Sequence, residues 1–174
     1  MLENYGFKPE KVFYYFEQIS NIPRGSGNTK AVSDYCVNFA KERNLYVRQD
    51  EYNNVVIKKP ATVGFEDKPA VIIQGHLDMV AQKDADSTHD FMKDPIELIV
   101  DGDFITANKT TLGADDGIAV AVGLALLDDS TINHPELEII FTSDEETGMD
   151  GAMGLDMSDI NGKYMLNLDS EDDG

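Results

Sequence analysis

Four short segments of this 174-residue chain gather the residue types that hold divalent cations: Gly75-His76-Leu77-Asp78, Gly113-Ala114-Asp115-Asp116-Gly117, Asp144-Glu145-Glu146-Thr147-Gly148 and Asn167-Leu168-Asp169. Carboxylates brought to one place repel one another and stay ionised together only beside a cation, and a mixed His, Asp and Glu set suits Zn²⁺ or Mn²⁺. Two ions roughly 3.5–4 Å apart would need one carboxylate to bridge them, and the chain has acidic groups enough for both positions. In His76-x-Asp78 the carboxylate is placed to hold one ring nitrogen of an imidazole whose other nitrogen binds metal. Adjacent Glu145 and Glu146 point in different directions outside a helix, so one can ligate while the other takes a proton from water and delivers it to a leaving amine. Each segment alone has a plainer reading: His76 as a satisfied histidine at a strand end, Asp-Glu-Glu as a solvated loop. What favours a site is their shared position at the ends of predicted strands and at the opening of a predicted helix.

For these groups to meet, the strands that carry them must lie side by side. Ala70–Gln74, Leu137–Phe141 and Tyr164–Leu168 are mainly apolar runs, the pattern of strands covered on both faces by helices. Gly117–Leu127, rich in small and apolar residues, reads as a buried helix too short to cross a bilayer. Upstream, Val12, Phe13, Phe16 and Ile19 recur at helical spacing over Pro9–Ile19. A loop with Pro23, Gly25 and Gly27 follows, and Thr29 caps a second helix running to about Arg43, with Val32, Tyr35, Cys36 and Phe39 on its apolar stripe. Two hairpins are expected: Leu45–Gln49 with Asn54–Lys58, and Ile96–Ile99 with Phe104–Ala107 through Asp101-Gly102-Asp103. Strands alternating with helices define an α/β domain with a largely parallel sheet, and such sheets bind ligands beyond the carboxyl ends of their strands.

Composition narrows the partners. With 33 acidic against 14 basic residues the formal charge is −19, which repels phosphate backbones and anionic membrane surfaces and argues against nucleic acid. Cys36 is the one cysteine, so there is no disulfide framework, and its place on the apolar stripe makes it a buried thiol. No basic stretch precedes an apolar run near Met1 and no segment reaches membrane-spanning length, so a cytoplasmic protein is expected. Serine-hydrolase elbows, Walker loops and G-x-G-x-x-G are missing. Asp84-x-Asp86-x-Thr88 begins like a calcium loop but has His89 where Gly is needed and Pro95 where Glu is needed, which excludes an EF-hand. His89 and His134 follow no strand-end pattern and read as surface or structural histidines.

The segments GHLDMV (75–80), TTLGADDGIAVA (110–121), FTSDEETGMDGA (141–152) and LNLDSED (166–172) resemble the M20 family of metallopeptidases. IPRGSGNTKAVSDY (22–35) and HDFMKDPIELIVDGD (89–103) are similar to its aminoacyl-histidine dipeptidases, which hydrolyse Xaa-His dipeptides such as carnosine. The resemblance spans nearly the whole chain. It implies a three-layer, zinc-peptidase-like α/β domain holding two divalent ions, zinc first, with manganese or cobalt as alternatives. His76 would bind one ion, Asp115 would bridge both, Glu146 would bind the second and Asp169 would complete the first. Asp78 would orient His76, Glu145 would be the general base, and the Asp115-Asp116 peptide would be cis.

Two departures stand out: Lys109 occupies a place where Gly is expected, and Asp116 a place where Asn is usual. Family members also continue beyond this length with a lid domain used for dimerisation and substrate capture, then return to finish the catalytic domain with a further metal-binding histidine. Residues 1–174 are therefore expected to be the N-terminal portion of the catalytic domain, and the acidic tail Asp169–Gly174, stopping directly after a predicted strand, reads as a fragment boundary. On this reading the fragment is inactive alone and the parent protein is a homodimer. The alternatives are another M20 hydrolase, a tripeptidase or an aminoacylase, and a metal-binding fragment without catalysis.

Overall fold

Apolar residues at helical spacing build the first two helices, α1 (Glu10–Ser20) and α2 (Lys30–Glu42), whose inner faces bury Phe16 and Ile19 and Val32, Cys36 and Phe39. The computed structural model describes residues 2–169. Thr29 stands at the N-cap of α2, but its side chain makes no capping hydrogen bond; its main-chain oxygen instead accepts from the Ser33 amide. The hairpin β1 (Tyr46–Gln49) and β2 (Val55–Lys59) follows, then β3 (Val71–His76), the two-stranded β4 (Leu98–Asp101) and β5 (Phe104–Ala107), helix α3 (Ala114–Asp128), β6 (Leu137–Thr142), a short α4 (Asp150–Gly154) and β7 (Tyr164–Asn167). Asp115 and Asp116 have non-helical dihedrals, so the regular part of α3 begins at Gly117.

The main sheet has the order β1-β2-β6-β3-β7. β6, β3 and β7 are parallel neighbours, whereas β2 is antiparallel to both β1 and β6, so four of the five strands run the same way. Alternation divides the strands between two layers. Val55, Ile57, Ile73, Ile139 and Phe141 face the larger core with α1, α2 and α3, while Val56, Ile72 and Ile140 face a smaller one closed by Leu155 and Ile160. Gly123 lets α3 lie close on β6: a Cβ there would sit 2.9 Å from Phe141 and 3.0 Å from Ile139 side-chain atoms.

The expectation for Tyr164–Leu168 needs correction. Its apolar run forms β7, but among the described residues β7 is a sheet edge, and Tyr164, Met165 and Leu166 are all more than half exposed rather than covered on both faces. Among the described residues, no helix is long and apolar enough to cross a membrane.

Candidate metal centre

The parallel pairing of β3 with β6 aligns His76 with Thr142, and that of β3 with β7 aligns Gln74 with Asn167, so the segments following all three strands emerge at one edge of the sheet. α3 starts at the same edge. Asp116 Oδ2 accepts a hydrogen bond from the His76 main-chain N–H at 3.1 Å, which ties the opening of the helix to the end of β3. The Asp115-Asp116 peptide is cis.

His76 is buried at the focus. Its Nδ1 lies 3.1 Å from the Asp78 main-chain oxygen and 3.4 Å from Asp78 Oδ1. Its Nε2 lies 3.1 Å from Asp115 Oδ1 and 3.9 Å from both Glu145 Oε2 and Asp169 Oδ2. Ligand atoms of His76, Asp115 and Glu146 fall within 4.8 Å of one another, as do those of His76, Asp116 and Asp169. The donors are one imidazole and several carboxylates, a set that fits divalent zinc, manganese or cobalt better than a soft thiophilic ion.

Asp78 is fully buried and organises the surroundings. Its carboxylate accepts from the Ser26 hydroxyl at 2.7 Å, the Glu145 amide at 3.0 Å and the Glu146 amide at 3.3 Å. One side chain therefore fixes the imidazole, the loop before α2 and both glutamates. Asp144 adds a second tie, accepting from the Gly27 amide at 2.7 Å.

Electrostatics follow from this crowding. Burial opposes the charged form of Asp78, yet the bonds from His76, Ser26 and the Glu145 amide outweigh it and hold the carboxyl at about 2. Burial likewise opposes imidazolium at His76, but the bond to Asp78 and the charges of Asp78, Asp116 and Asp115 push it up to about 9. Asp116 is raised to about 6 by burial, with Asp169 and Asp115 adding repulsion, and Glu146 is raised by burial and then by Asp115. Negative charge in excess of the His76 imidazole and the buried Arg24 guanidinium is the condition that a cation relieves.

The structure thus brings together all six residues singled out in the sequence: His76, Asp78, Asp115, Glu145, Glu146 and Asp169. It adds Asp116, to which the sequence reading assigned no ligand role, and Ser26 and Arg24 from the loop before α2. The left-handed φ of 57° at Lys109 explains why Gly would be expected there. Cys36 is buried and its thiol is pushed up by burial. His89 packs against Phe91 and buried His134 contacts the Pro135 oxygen, and neither joins the cluster. A cavity of about 730 Å³, lined in part by Glu17, Asp86, His89, Asp94, Glu97 and Lys109, contains none of the six residues. The final residues of the fourth motif, Ser170, Glu171 and Asp172, lie outside the described residues.

A largely parallel sheet with carboxylates and a histidine gathered where its strands end defines an α/β domain with a candidate metal site. A tripeptidase from Staphylococcus aureus shares this fold, with a TM-score of 0.78 at 22% identity over 94% of this chain and 44% of that one. No family model matches the chain. The cytosol non-specific dipeptidase of Escherichia coli is 43% identical over 166 residues, covering 95% of this chain and 34% of that protein. The crystal structure of aminoacylhistidine dipeptidase from Vibrio alginolyticus superimposes with a TM-score of 0.93 at 46% identity, covering 96% of this chain and 34% of that one. Nearly the whole of the chain is thus similar to these two dipeptidases. The chain spans about a third of the length of these two relatives.

Proposed function

We propose that this chain is the metal-holding part of a dipeptidase, a hydrolase that cleaves dipeptides including those ending in histidine, such as carnosine. The observation that carries this reading is the meeting of His76, Asp115, Glu146 and Asp169 at one sheet edge, in a chain 43% and 46% identical to two dipeptidases. His76 and Asp169 would hold one ion and Glu146 the other, with Asp115 serving both. Zinc is our first choice, with manganese or cobalt as alternatives. When bound, the two ions supply Lewis acidity to the scissile carbonyl and a more acidic water.

The chain's own residues do the rest. Asp78 keeps Nδ1 of His76 engaged so that Nε2 faces Asp115. Glu145, held through its amide by Asp78 and partly open to solvent, takes the proton of the attacking water and passes it to the leaving amine. Asp115 is 70% exposed, so in this stretch alone the reacting atoms stay in water, where electrostatic stabilisation is weak; we expect no turnover from it in isolation. The whole protein would add a lid domain through which it dimerises. Its place is the cytoplasm, in line with the name of the Escherichia coli relative.

The test is a substrate panel on the full-length protein: carnosine, dipeptides lacking histidine, tripeptides and N-acyl amino acids, with and without a chelator. Chelator-sensitive cleavage of dipeptides, lost in Glu145→Gln with metal still bound, is expected. Preference for tripeptides or acyl amino acids would overturn the dipeptidase reading, and cleavage unaffected by chelator would overturn the metal centre.

A further inference from the structure

Arg24 heads the fully buried side chains by size, and among the described residues it forms no ion pair. Its guanidinium reaches the main chain instead. Nη1 donates to the Leu77 and Asp78 oxygens, each at 3.0 Å, and Nη2 donates to the Gly113 oxygen. Leu77 and Asp78 belong to the loop after β3 that carries His76; Gly113 opens the turn that carries Asp115 and Asp116. The neighbouring backbone leaves room for this one group. A Cβ on Gly113 would lie 2.6 Å from Nη2, and a Cβ on Gly117 would collide with the same nitrogen. Among the described residues Nε has no hydrogen-bond partner.

Burying a guanidinium is costly; carbonyl dipoles and the charges of Asp78, Asp116 and Asp115 compensate in part, and charge alone would not require a planar group that reaches two loops. What an arginine adds is geometric: a rigid planar fork that touches two separate loops at once. We propose that Arg24 is a positioning residue, a clamp that fixes the loop after β3 against the turn opening α3 and so sets His76 relative to Asp115. Gly113 and Gly117 are the complementary half of that clamp. The clamp itself rests on hydrogen bonds seen here; its purpose rests on the metal-centre reading above.

The test compares Arg24→Met and Gly117→Ala with wild type in the metal-free full-length protein, by residue-resolved amide exchange and thermal unfolding, followed by Zn²⁺ titration. Both variants are expected to exchange roughly tenfold faster at the Leu77, Ser26 and Thr111 amides while β2 and β6 stay protected as in wild type. Zn²⁺ affinity is expected to fall by roughly tenfold or more in both, the range typical of losing a group that orients ligands. Combining the two substitutions should add little, because each removes the same contact. Unchanged exchange at those amides, or acceleration spread evenly over β2 and β6, would overturn the clamp. Faster local exchange with wild-type Zn²⁺ affinity would overturn its positioning role. If wild type itself binds no Zn²⁺, the metal-centre reading fails while the exchange data still decide the clamp; if Arg24→Met does not fold, Gly117→Ala decides it.

Discussion

In the metal-free chain the buried His76–Asp78 pair makes stability depend on pH with a definite sign. His76 moves from an ordinary value of 6.5 to about 9 because the Asp78 bond and the charges of Asp78, Asp116 and Asp115 outweigh the burial that opposes the imidazolium. A value raised by folding means that the folded state holds the proton more tightly, so the contribution is fully present below 6.5 and disappears as pH rises through about 9. The gap corresponds to about 3 kcal/mol, shared by the coupled pair rather than owned by the ring. Asp116, raised to about 6, loses its contribution below this window and does not confuse it. Asp78→Asn removes the main partner, and the decline should then shrink to under about 1 kcal/mol. Urea unfolding followed by circular dichroism at pH 6.5, 7.5 and 9.5 in chelator would measure both. Wild type equally stable at the two ends, or a full decline retained in Asp78→Asn, would refute the account.

Three further outcomes are expected. Asp115→Ala should weaken Zn²⁺ or Mn²⁺ at both positions, by roughly tenfold or more, because one carboxylate serves two ions; calorimetric titration showing one site intact would remove the bridging role. Gly123→Ala, which would gain helix propensity on an open surface, should instead destabilise by about 1–3 kcal/mol, since its Cβ would press on Phe141 and Ile139; the urea midpoint reads the sign. Ser26→Ala leaves the buried Asp78 carboxylate without its hydroxyl donor and should cost about 1–2 kcal/mol near neutral pH, with less loss toward pH 2 as Asp78 protonates.

The parallel sheet was legible in the sequence because buried strands need no alternation: the runs at 70–74 and 137–141 are apolar except for Gln74 and Glu138, and they became β3 and β6 with His76 and Thr142 at their matching ends. The run at 164–168 carries the same signal, yet β7 lies at the edge with its apolar side chains exposed. Hydropathy reports that a strand can be covered, and says nothing about which residues are available to cover it. Thr29 illustrates a second limit. Its type suits an N-cap, but the hydroxyl makes no bond to the helix, since capping depends on the rotamer and dihedrals as well as the residue.

The site divides along the same line. His76, Asp78, Asp115, Glu145, Glu146 and Asp169 could be nominated because acidic and imidazole groups at strand ends are chemically unusual wherever they occur. Asp116 could not: beside Asp115 it reads as one more acid, and only the tight approach of α3 to Gly75 and His76 turns it inward, where it accepts the His76 amide. Arg24 is harder still, since an arginine between proline and glycine reads as a surface loop. Its burial follows from three features far apart in sequence: carbonyls at 77 and 78, a carbonyl at 113, and two glycines that leave space for the guanidinium. Ligands announce themselves by residue type, whereas the groups that hold ligands in register are ordinary residues whose role exists only in the contacts they make.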